Sequence, residues 1–200
     1  MSSAFNTIAN VSLGEYKEKG SKFIAYAHPV SNEAEVKPLV KQYKKEFYAA
    51  RHHCYAFMLG AEKKHFRATD DGEPSNSAGN SILGQIKAQN LTNILIIVMR
   101  YFGGTKLGVP GLINAYRSAT SEAISNAEVI KDYPYSTRSL VFEYDKMDIA
   151  MKTIKEYKLD IISQEMSLNC KMSIKIKDEE LSLVDEILGG FYLKKNNNTL

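Results

Sequence analysis

One stretch near the middle of the chain limits the choice of fold more than any other. The apolar run Ile94–Met99 predicts a buried strand, and the glycine-rich sequence RYFGGTKLGVPG follows it at residues 100–111. A long helix is then expected over roughly residues 110–127, with Pro110 in a first-turn position that tolerates its missing amide hydrogen. The chain is therefore expected to contain a strand, a tight loop and a helix in direct succession.

The loop has the composition of an anion-binding loop. Gly103, Gly104 and Gly108 permit positive φ angles and close approach to the backbone. The amides at the start of the following helix would favour an anion, and Lys106 beside Thr105 adds a positive charge. The spacing fits neither the Walker pattern nor the dinucleotide fingerprint, which disfavours a nucleotide triphosphatase. A tight turn without a ligand is the alternative.

Arg100 and a nearby acidic loop form the second candidate feature. Arg100 ends the apolar run, and a buried arginine needs a carboxylate or a bound anion as its partner. The loop ATDDGEPSNSAG supplies Asp70, Asp71 and Glu73, any of which could pair with Arg100 as an internal brace. The same carboxylates could hold Mg²⁺ or act as acid and base, or they could belong to a polar turn that precedes a helix.

The sequence ARHHC at residues 50–54 has two adjacent histidines at the start of a predicted strand. Neighbouring strand residues point to opposite faces, so His52 and His53 cannot both bind one metal ion. One of the two could face a cleft beside Arg51. Cys54 lies among apolar residues and is expected to be a core residue, not a nucleophile.

The net charge of +3 does not by itself indicate a nucleic-acid-binding protein, but the charge is unevenly distributed. Up to Ile130 there are 15 lysines and arginines against 11 acidic residues, and from Lys131 onward there are 11 against 12. A surface for polyanions is therefore expected in the first part of the chain.

The localisation expected from the sequence is cytoplasmic. No window approaches the roughly 18 uninterrupted apolar residues of a membrane span, and the N-terminus shows no secretion signal. Cys54 and Cys170 are expected to be buried reduced thiols. A soluble protein with no membrane partner is the prediction.

The last third of the chain predicts a separate small domain. Residues 132–138, within KDYPYSTR, resemble a linker because they are polar, contain a proline and lack periodicity. Beyond them the order βαββα(β) points to a ferredoxin-like sandwich over residues 139–200. Residues 168–177 alternate, with Leu168, Cys170, Met172, Ile174 and Ile176 on one face. The opposite, lysine-bearing face lacks aromatic residues and is expected to be solvated.

Three segments together carry a specific resemblance. The sequences RHHCYAFMLG, DDGEPSNSAGNSIL and LTNILIIVMRYFGGTKLGVPGLINAYRSA, in this order, resemble the YigZ/IMPACT family over about residues 15–125. The resemblance implies an α+β protein whose residues 1–131 form an α/β sandwich of the ribosomal-protein-S5-domain-2 type. It also implies a ferredoxin-like C-terminal domain similar to the last domain of elongation factor G. The sequence departs from the family pattern at Asn76 and Ser77, where members usually have Gly-Thr.

The resemblance leads to a hypothesis about function. Eukaryotic IMPACT proteins regulate translation during amino-acid starvation, through an RWD domain and a partner not expected here. The preferred hypothesis is a non-enzymatic protein associated with RNA or the ribosome. Its anion surface would comprise Arg51, His52, Arg100, Gly103, Gly104, Thr105, Lys106 and Gly108.

Two alternatives remain open. A metal-assisted hydrolase or phosphoryl-transfer enzyme would use Asp71, Glu73 and His52, with Mg²⁺ as the candidate cofactor. A protein-interaction module would need no cofactor, and its partner would be another protein.

Overall fold

The computed structural model describes residues 4–167, 169–188 and 191–195. The chain is an α+β protein that folds into two compact units, Ala4–Asp132 and the residues from Tyr133 onward. Among the described residues, no helix combines the length and the apolar character that crossing a membrane requires.

The first unit contains seven strands and three helices. In chain order they are β1 (Phe5–Ile8), β2 (Ser12–Glu18), β3 (Ser21–Pro29), α1 (Glu33–Glu46), β4 (His52–Leu59), β5 (His65–Thr69), α2 (Gly79–Ala88), β6 (Ile94–Tyr101), α3 (Gly108–Ser125) and β7 (Val129–Asp132). Five strands form an antiparallel sheet in the order β2-β3-β6-β4-β5. β1 and β7 pair separately, with Phe5 opposite Asp132.

β6 is the central strand of the sheet, and both of its faces are covered. Ile94, Ile96 and Val98 belong to the core that α2 and α3 close, whereas Leu95 and Ile97 belong to the core beneath α1. Burial on both sides explains why this strand is a continuous apolar run with no alternation. The predicted strand is confirmed, and α3 begins at Gly108, two residues before the expected start.

α1 contains a proline but still starts early. In the sequence, a proline inside a helical pattern predicts either a kink or a late start of the helix. The helix begins at Glu33, ahead of Pro38, so it does not start late. The sequence suggests Ser31 and Asn32 as caps of this helix. Asn32 stands at the cap position, but its side-chain amide donates to Glu35 Oε1 at 2.7 Å and caps no backbone amide.

In the part of the second unit that the structure describes, a four-stranded antiparallel sheet is accompanied by two helices. Its elements are β8 (Tyr135–Glu143), a 3₁₀ turn (Tyr144–Lys146), α4 (Met147–Glu156), β9 (Asp160–Glu165), β10 (Asn169–Lys177), α5 (Leu181–Ile187) and β11 (Tyr192–Lys195). The strand order is β11-β8-β10-β9, so the predicted succession βαββα(β) is observed. The alternation of β10 is confirmed at Cys170, Met172, Ile174 and Ile176, which are buried, and Leu168 lies outside the described residues.

The predicted linker is wrong at most of its positions. Residues 135–138 belong to β8, so only Tyr133 and Pro134 lie between β7 and β8. The sequence of this segment shows no alternation of apolar and polar residues, because the charged Arg138 occupies a buried position of β8, where it is 8% exposed. Its Nε donates to Asp185 Oδ1 at 3.0 Å, and this ion pair satisfies a charge that burial would otherwise penalise.

Candidate functional site

Three side chains from adjacent strands meet at the end of β6. Arg100 is the register partner of Phe23 on β3 and of His52 on β4, so all three lie on the sheet face that α2 and α3 cover. The guanidinium carbon of Arg100 lies 5.6 Å from the centre of the Phe23 ring and 5.7 Å from that of Phe102. Arg100 is thus held between two aromatic rings.

Glu73 is the carboxylate that pairs with Arg100. Arg100 Nη1 donates to Glu73 Oε1 at 2.7 Å and to Oε2 at 2.9 Å, and the two side chains are 8% and 3% exposed. The Tyr116 hydroxyl of α3 donates to the same Oε1 at 2.8 Å. The internal brace predicted as one alternative is therefore formed, and it joins the acidic loop to β6 and α3.

The carboxylate of Asp70 accepts hydrogen bonds from backbone amides of its own loop and of α2. Its Oδ1 accepts hydrogen bonds from the amides of Ala78 and Gly79 at 3.0 and 2.8 Å, and its Oδ2 accepts one from the amide of Asn76 at 2.8 Å. Amides at the start of a helix lack partners within the helix, and Asp70 satisfies them here. Asn76 has φ +63°, a left-handed angle that asparagine tolerates, which explains how it can stand where the family pattern has glycine.

Asp71 faces away from Arg100. It accepts a hydrogen bond from Lys44 Nζ at 2.7 Å and one from the amide of His53 at 2.8 Å. Burial alone would raise the pKa of Asp71, but the hydrogen bonds from Lys44 and His53 outweigh it and lower the pKa. The three carboxylates of the loop therefore point to three different sets of partners.

The two histidines face opposite sides of the sheet, as the strand spacing predicted. His52 Nδ1 donates to the carbonyl of Asp71 at 2.9 Å, and its Nε2 lies 4.0 Å from Glu73 Oε1. His53 is 5% exposed, and burial lowers its pKa. His52 is therefore the one histidine of the pair that belongs to the site around Arg100.

A shared metal site is not formed at the acidic loop. Asp70, Asp71 and Glu73 each have their own protein partners. The Glu73 carboxylate lies 4.0 Å from His52 Nε2, whereas Asp71 contacts His52 through its backbone carbonyl and not through its carboxylate. Among the described residues, no group of three or more His, Cys, Asp or Glu side chains is arranged to hold a metal ion. The arrangement supports a structural brace in preference to the proposed Mg²⁺ chemistry.

The glycine-rich loop is exposed from Phe102 to Lys106, and its glycines have different roles. A Cβ on Gly103 would lie 1.8 Å from the carbonyl carbon of Gly20, so the backbones of the two loops touch here. Gly104 has φ +88° and no heavy atom within 4 Å of a built Cβ, so conformation alone requires glycine there. Lys106 and its neighbour Thr105 face solvent.

The end of the loop leads into an open helix terminus. α3 starts at Gly108, also with a positive φ of +70°, and has no side-chain cap and no acidic residue in its first turn. Arg51 is exposed beside the loop, with its guanidinium carbon 5.6 Å from the centre of the Phe102 ring. Exposed amides and cations are therefore present at this end of the sheet, whereas Arg100 is directed inward.

Tyr116 and Cys54 belong to the site but were not predicted as parts of it. Cys54 Sγ lies 2.9 Å from the carbonyl oxygen of Asp70 and 3.3 Å from the Tyr116 hydroxyl. Burial raises the pKa of both groups, so both stay protonated and Cys54 is not a nucleophile. The sequence did contain a signal for Tyr116, which is a tyrosine within the apolar stripe of a predicted helix. Because a buried hydroxyl needs a hydrogen-bond partner, such a tyrosine indicates a polar group nearby.

Comparison with known proteins identifies the family. The model of the Impact N-terminal domain matches residues 19–124, which is more than half of the 200-residue chain. The chain belongs to the IMPACT family. The matched segment contains the acidic loop, β6, the glycine-rich loop and most of α3, so the site described above lies within the IMPACT domain.

Two bacterial relatives show how far the likeness extends. The IMPACT family member YvyE of Bacillus subtilis is 35% identical over 128 residues, which cover 64% of this chain and 59% of that protein. The IMPACT family member YigZ of Escherichia coli is 34% identical over 132 residues, which cover 64% of each protein. The chain thus spans less than two thirds of the length of these relatives.

A solved structure of a hypothetical protein resembles the whole chain. It superimposes with a TM-score of 0.73 at 23% identity and covers 99% of both chains. This likeness supports the fold of both units of the IMPACT protein.

Proposed function

We propose that this IMPACT-family protein is a non-enzymatic, translation-related protein of the cytoplasm that binds RNA, on its own or in the ribosome. The binding surface is the loop surface, which we define as the side chains of Arg51, His52, Thr105 and Lys106 together with the amides of residues 104–108. The amide of Gly103, which the sequence also suggested, is left out because it donates to Ser21 Oγ at 3.1 Å. One observation carries the proposal: the exposed glycine-rich loop leads into an uncapped start of α3, beside the exposed cations.

The chemistry of the loop surface suits a phosphate backbone. Unpaired amides at a helix start and the helix dipole attract anions, and arginine and lysine neutralise phosphate charges. Such contacts position a nucleic acid without selecting its sequence. The ligand expected here is therefore RNA recognised through its backbone.

Arg100 has an indirect role in this proposal. Its charge is already matched by Glu73, and both side chains are almost completely buried. Arg100 and the acidic loop hold the end of β6 in place, and the exposed residues after it make the contacts. The sequence-based expectation that Arg100 itself contacts the ligand is replaced by this positioning role.

Family membership supports the translation-related part of the proposal, because the resemblance implies such a role for eukaryotic IMPACT proteins. The succession βαββα(β) with strand order β11-β8-β10-β9 supports a ferredoxin-like second unit, and the antiparallel sheet of the first unit supports the S5-domain-2 assignment. Two free buried cysteines agree with a reducing compartment.

The test compares two charge-matched double variants of the full chain. Arg51→Gln/Lys106→Gln removes the two exposed cations, and Lys37→Gln/Lys41→Gln removes two exposed lysines of α1. Binding to a fluorescein-labelled 20-nucleotide RNA is measured by anisotropy over a range of salt concentrations, and cosedimentation with ribosomes is measured at low salt.

The loop variant is expected to bind more weakly and to show a smaller salt dependence. The slope of log K against log salt is negative, and each lost contact to a single strand reduces its magnitude by about 0.7. The loss of two contacts should therefore make the slope shallower by roughly 1.4. The α1 variant should behave like the wild type. Equal losses in both variants, or unchanged binding in the loop variant, would contradict the proposal.

A further inference from the structure

The sheet of the second unit has one covered face and one open face. Helices α4 and α5 pack on the first face through Ala150, Ile154 and Val184. These residues, with Leu188 directly after α5, join the buried residues of β8 and β10 in one core. The opposite face carries the intervening residues of both strands, which are exposed or half-buried. Most of these residues are small or charged and form no core. A large aromatic ring on this face is therefore not there for core packing.

Two tyrosines and two lysines lie together at one end of this open face. Lys175 Nζ lies 3.6 Å from the centre of the Tyr135 ring, and Lys177 Nζ lies 4.7 Å from the centre of the Tyr133 ring. The register places Lys177 directly opposite Tyr135, so the two cation–ring pairs are neighbours. We call these four residues the tyrosine–lysine face.

Both rings remain partly exposed beside the lysine ammonium groups that lie over them. Tyr135 is 40% exposed and Tyr133 is 37% exposed. Lys171, further along β10, lies 3.9 Å from Glu165 and is therefore left out of the face. Asp160 is the register partner of Lys175 on β9, yet the lysine ammonium has its close contact with the Tyr135 ring.

We infer that the tyrosine–lysine face binds single-stranded RNA. Exposed aromatic rings stack on unpaired bases whatever their identity, and lysines beside them neutralise the phosphates that connect those bases. A duplex offers the same phosphates but keeps its bases stacked on one another, so it cannot use the rings. The combination of rings and cations at one place selects single strands.

The tyrosine–lysine face goes beyond the expectation drawn from the sequence of residues 168–177 alone. That strand carries lysines but no aromatic residue, which predicted a plain solvated face. The rings come from the segment just before and at the start of β8, which looked like a linker. The antiparallel register of β8 and β10 brings the two together.

The tyrosine–lysine face is a second surface, in a different unit from the loop surface, and the inference stands without the proposed function. The test uses the full chain and fluorescence anisotropy with a labelled 12-nucleotide oligouridylate and a labelled 12-base-pair RNA duplex. The variants are Tyr135→Leu, Tyr135→Phe and Lys175→Gln/Lys177→Gln. The matched control is Lys152→Gln/Lys155→Gln, which removes two exposed lysines from α4 on the other side of the same sheet.

The expected result is specific to the single strand. Tyr135→Leu should weaken binding of the oligouridylate roughly fivefold or more, while Tyr135→Phe, which keeps the ring, should bind like the wild type. The double lysine variant should reduce the magnitude of the slope of log K against log salt by about 1.4. The α4 control and duplex binding by Tyr135→Leu should be unchanged.

Two results would overturn the inference. The first is oligouridylate affinity that is the same in Tyr135→Leu and the wild type, and the second is equal loss of affinity in the α4 control. Measuring Arg51→Gln/Lys106→Gln in the same series separates the two proposals, because a defect in that variant alone supports the loop surface and contradicts the tyrosine–lysine face.

Discussion

Replacing Glu73 by glutamine should destabilise the first unit strongly. Glu73→Gln keeps the shape of the side chain and an acceptor for the Tyr116 hydroxyl, but it leaves the Arg100 guanidinium without its countercharge. The two side chains are only 3% and 8% exposed, so solvent cannot compensate. Removing one partner of such a buried pair costs about 3–5 kcal/mol, and the remaining hydrogen bonds place the expected loss near the lower value.

Hydrogen exchange followed by mass spectrometry measures this loss within one unit. A destabilisation of about 3 kcal/mol should lower the protection of amides in β6 roughly a hundredfold, since 1.4 kcal/mol corresponds to a factor of ten. Peptides from β10, in the other unit, provide an internal reference that should not change.

Two further variants show whether the buried charge is the cause. Glu62→Gln removes an exposed carboxylate that lies 3.5 Å from Lys64, and it should change protection by less than about 1 kcal/mol. Glu73→Met/Arg100→Met/Tyr116→Phe removes both charges and the hydroxyl that donates to Glu73, and it should recover most of the loss. Protection of β6 in Glu73→Gln within threefold of the wild type would refute the reasoning.

Three other predictions follow from single positions. Gly103→Ala should destabilise the first unit by about 1–3 kcal/mol or more in thermal unfolding, because its Cβ would collide with Gly20, whereas Gly84→Ala, with open space in α2, should stabilise it by about 0.5–1 kcal/mol. The pKa of Asp71 is lowered, so its stabilisation is present above the ordinary value of 3.8 and is lost as the pH falls through the lowered pKa. In urea titrations, the stability deficit of Asp71→Asn should therefore be largest near neutral pH and should shrink below pH 3.8. Cys54, whose pKa is raised by burial, should react with a thiol reagent at pH 8 only after unfolding, as peptide mass spectrometry can show.

The sequence predicted the central strand and its loop well because their signals are local. A continuous apolar run, glycines and a first-turn proline specify β6, the loop and α3 with little help from the rest of the chain. β1 and β7 were not predicted, because four-residue strands have weak patterns and their pairing joins positions as distant as Phe5 and Asp132. Sequence patterns report such long-range pairing poorly.

The site was predicted only to the level of alternatives. Arg100 required a carboxylate, and the sequence offered Asp70, Asp71 and Glu73 within four positions. Which of them turns toward β6 depends on the path of the loop, including the left-handed φ of +43° at Asp71, and no pattern encodes that path. Tyr116 completes the carboxylate's environment from α3, 43 positions further along the chain.

The three divergent carboxylates of the acidic loop have a consequence for how this protein can vary in length. Asp70, Asp71 and Glu73 fix the segment between β5 and α2 to α2, β4, α1, β6 and α3, so an added residue there would shift several anchors at once. The turn between β4 and β5 is tied at Gly60 and Lys63 to the segment between α2 and β6, and Glu62 between these two anchors is mostly exposed. Insertions, fused tags and evolutionary length changes should therefore accumulate at the exposed tip of the β4–β5 turn, while the acidic loop keeps a constant length.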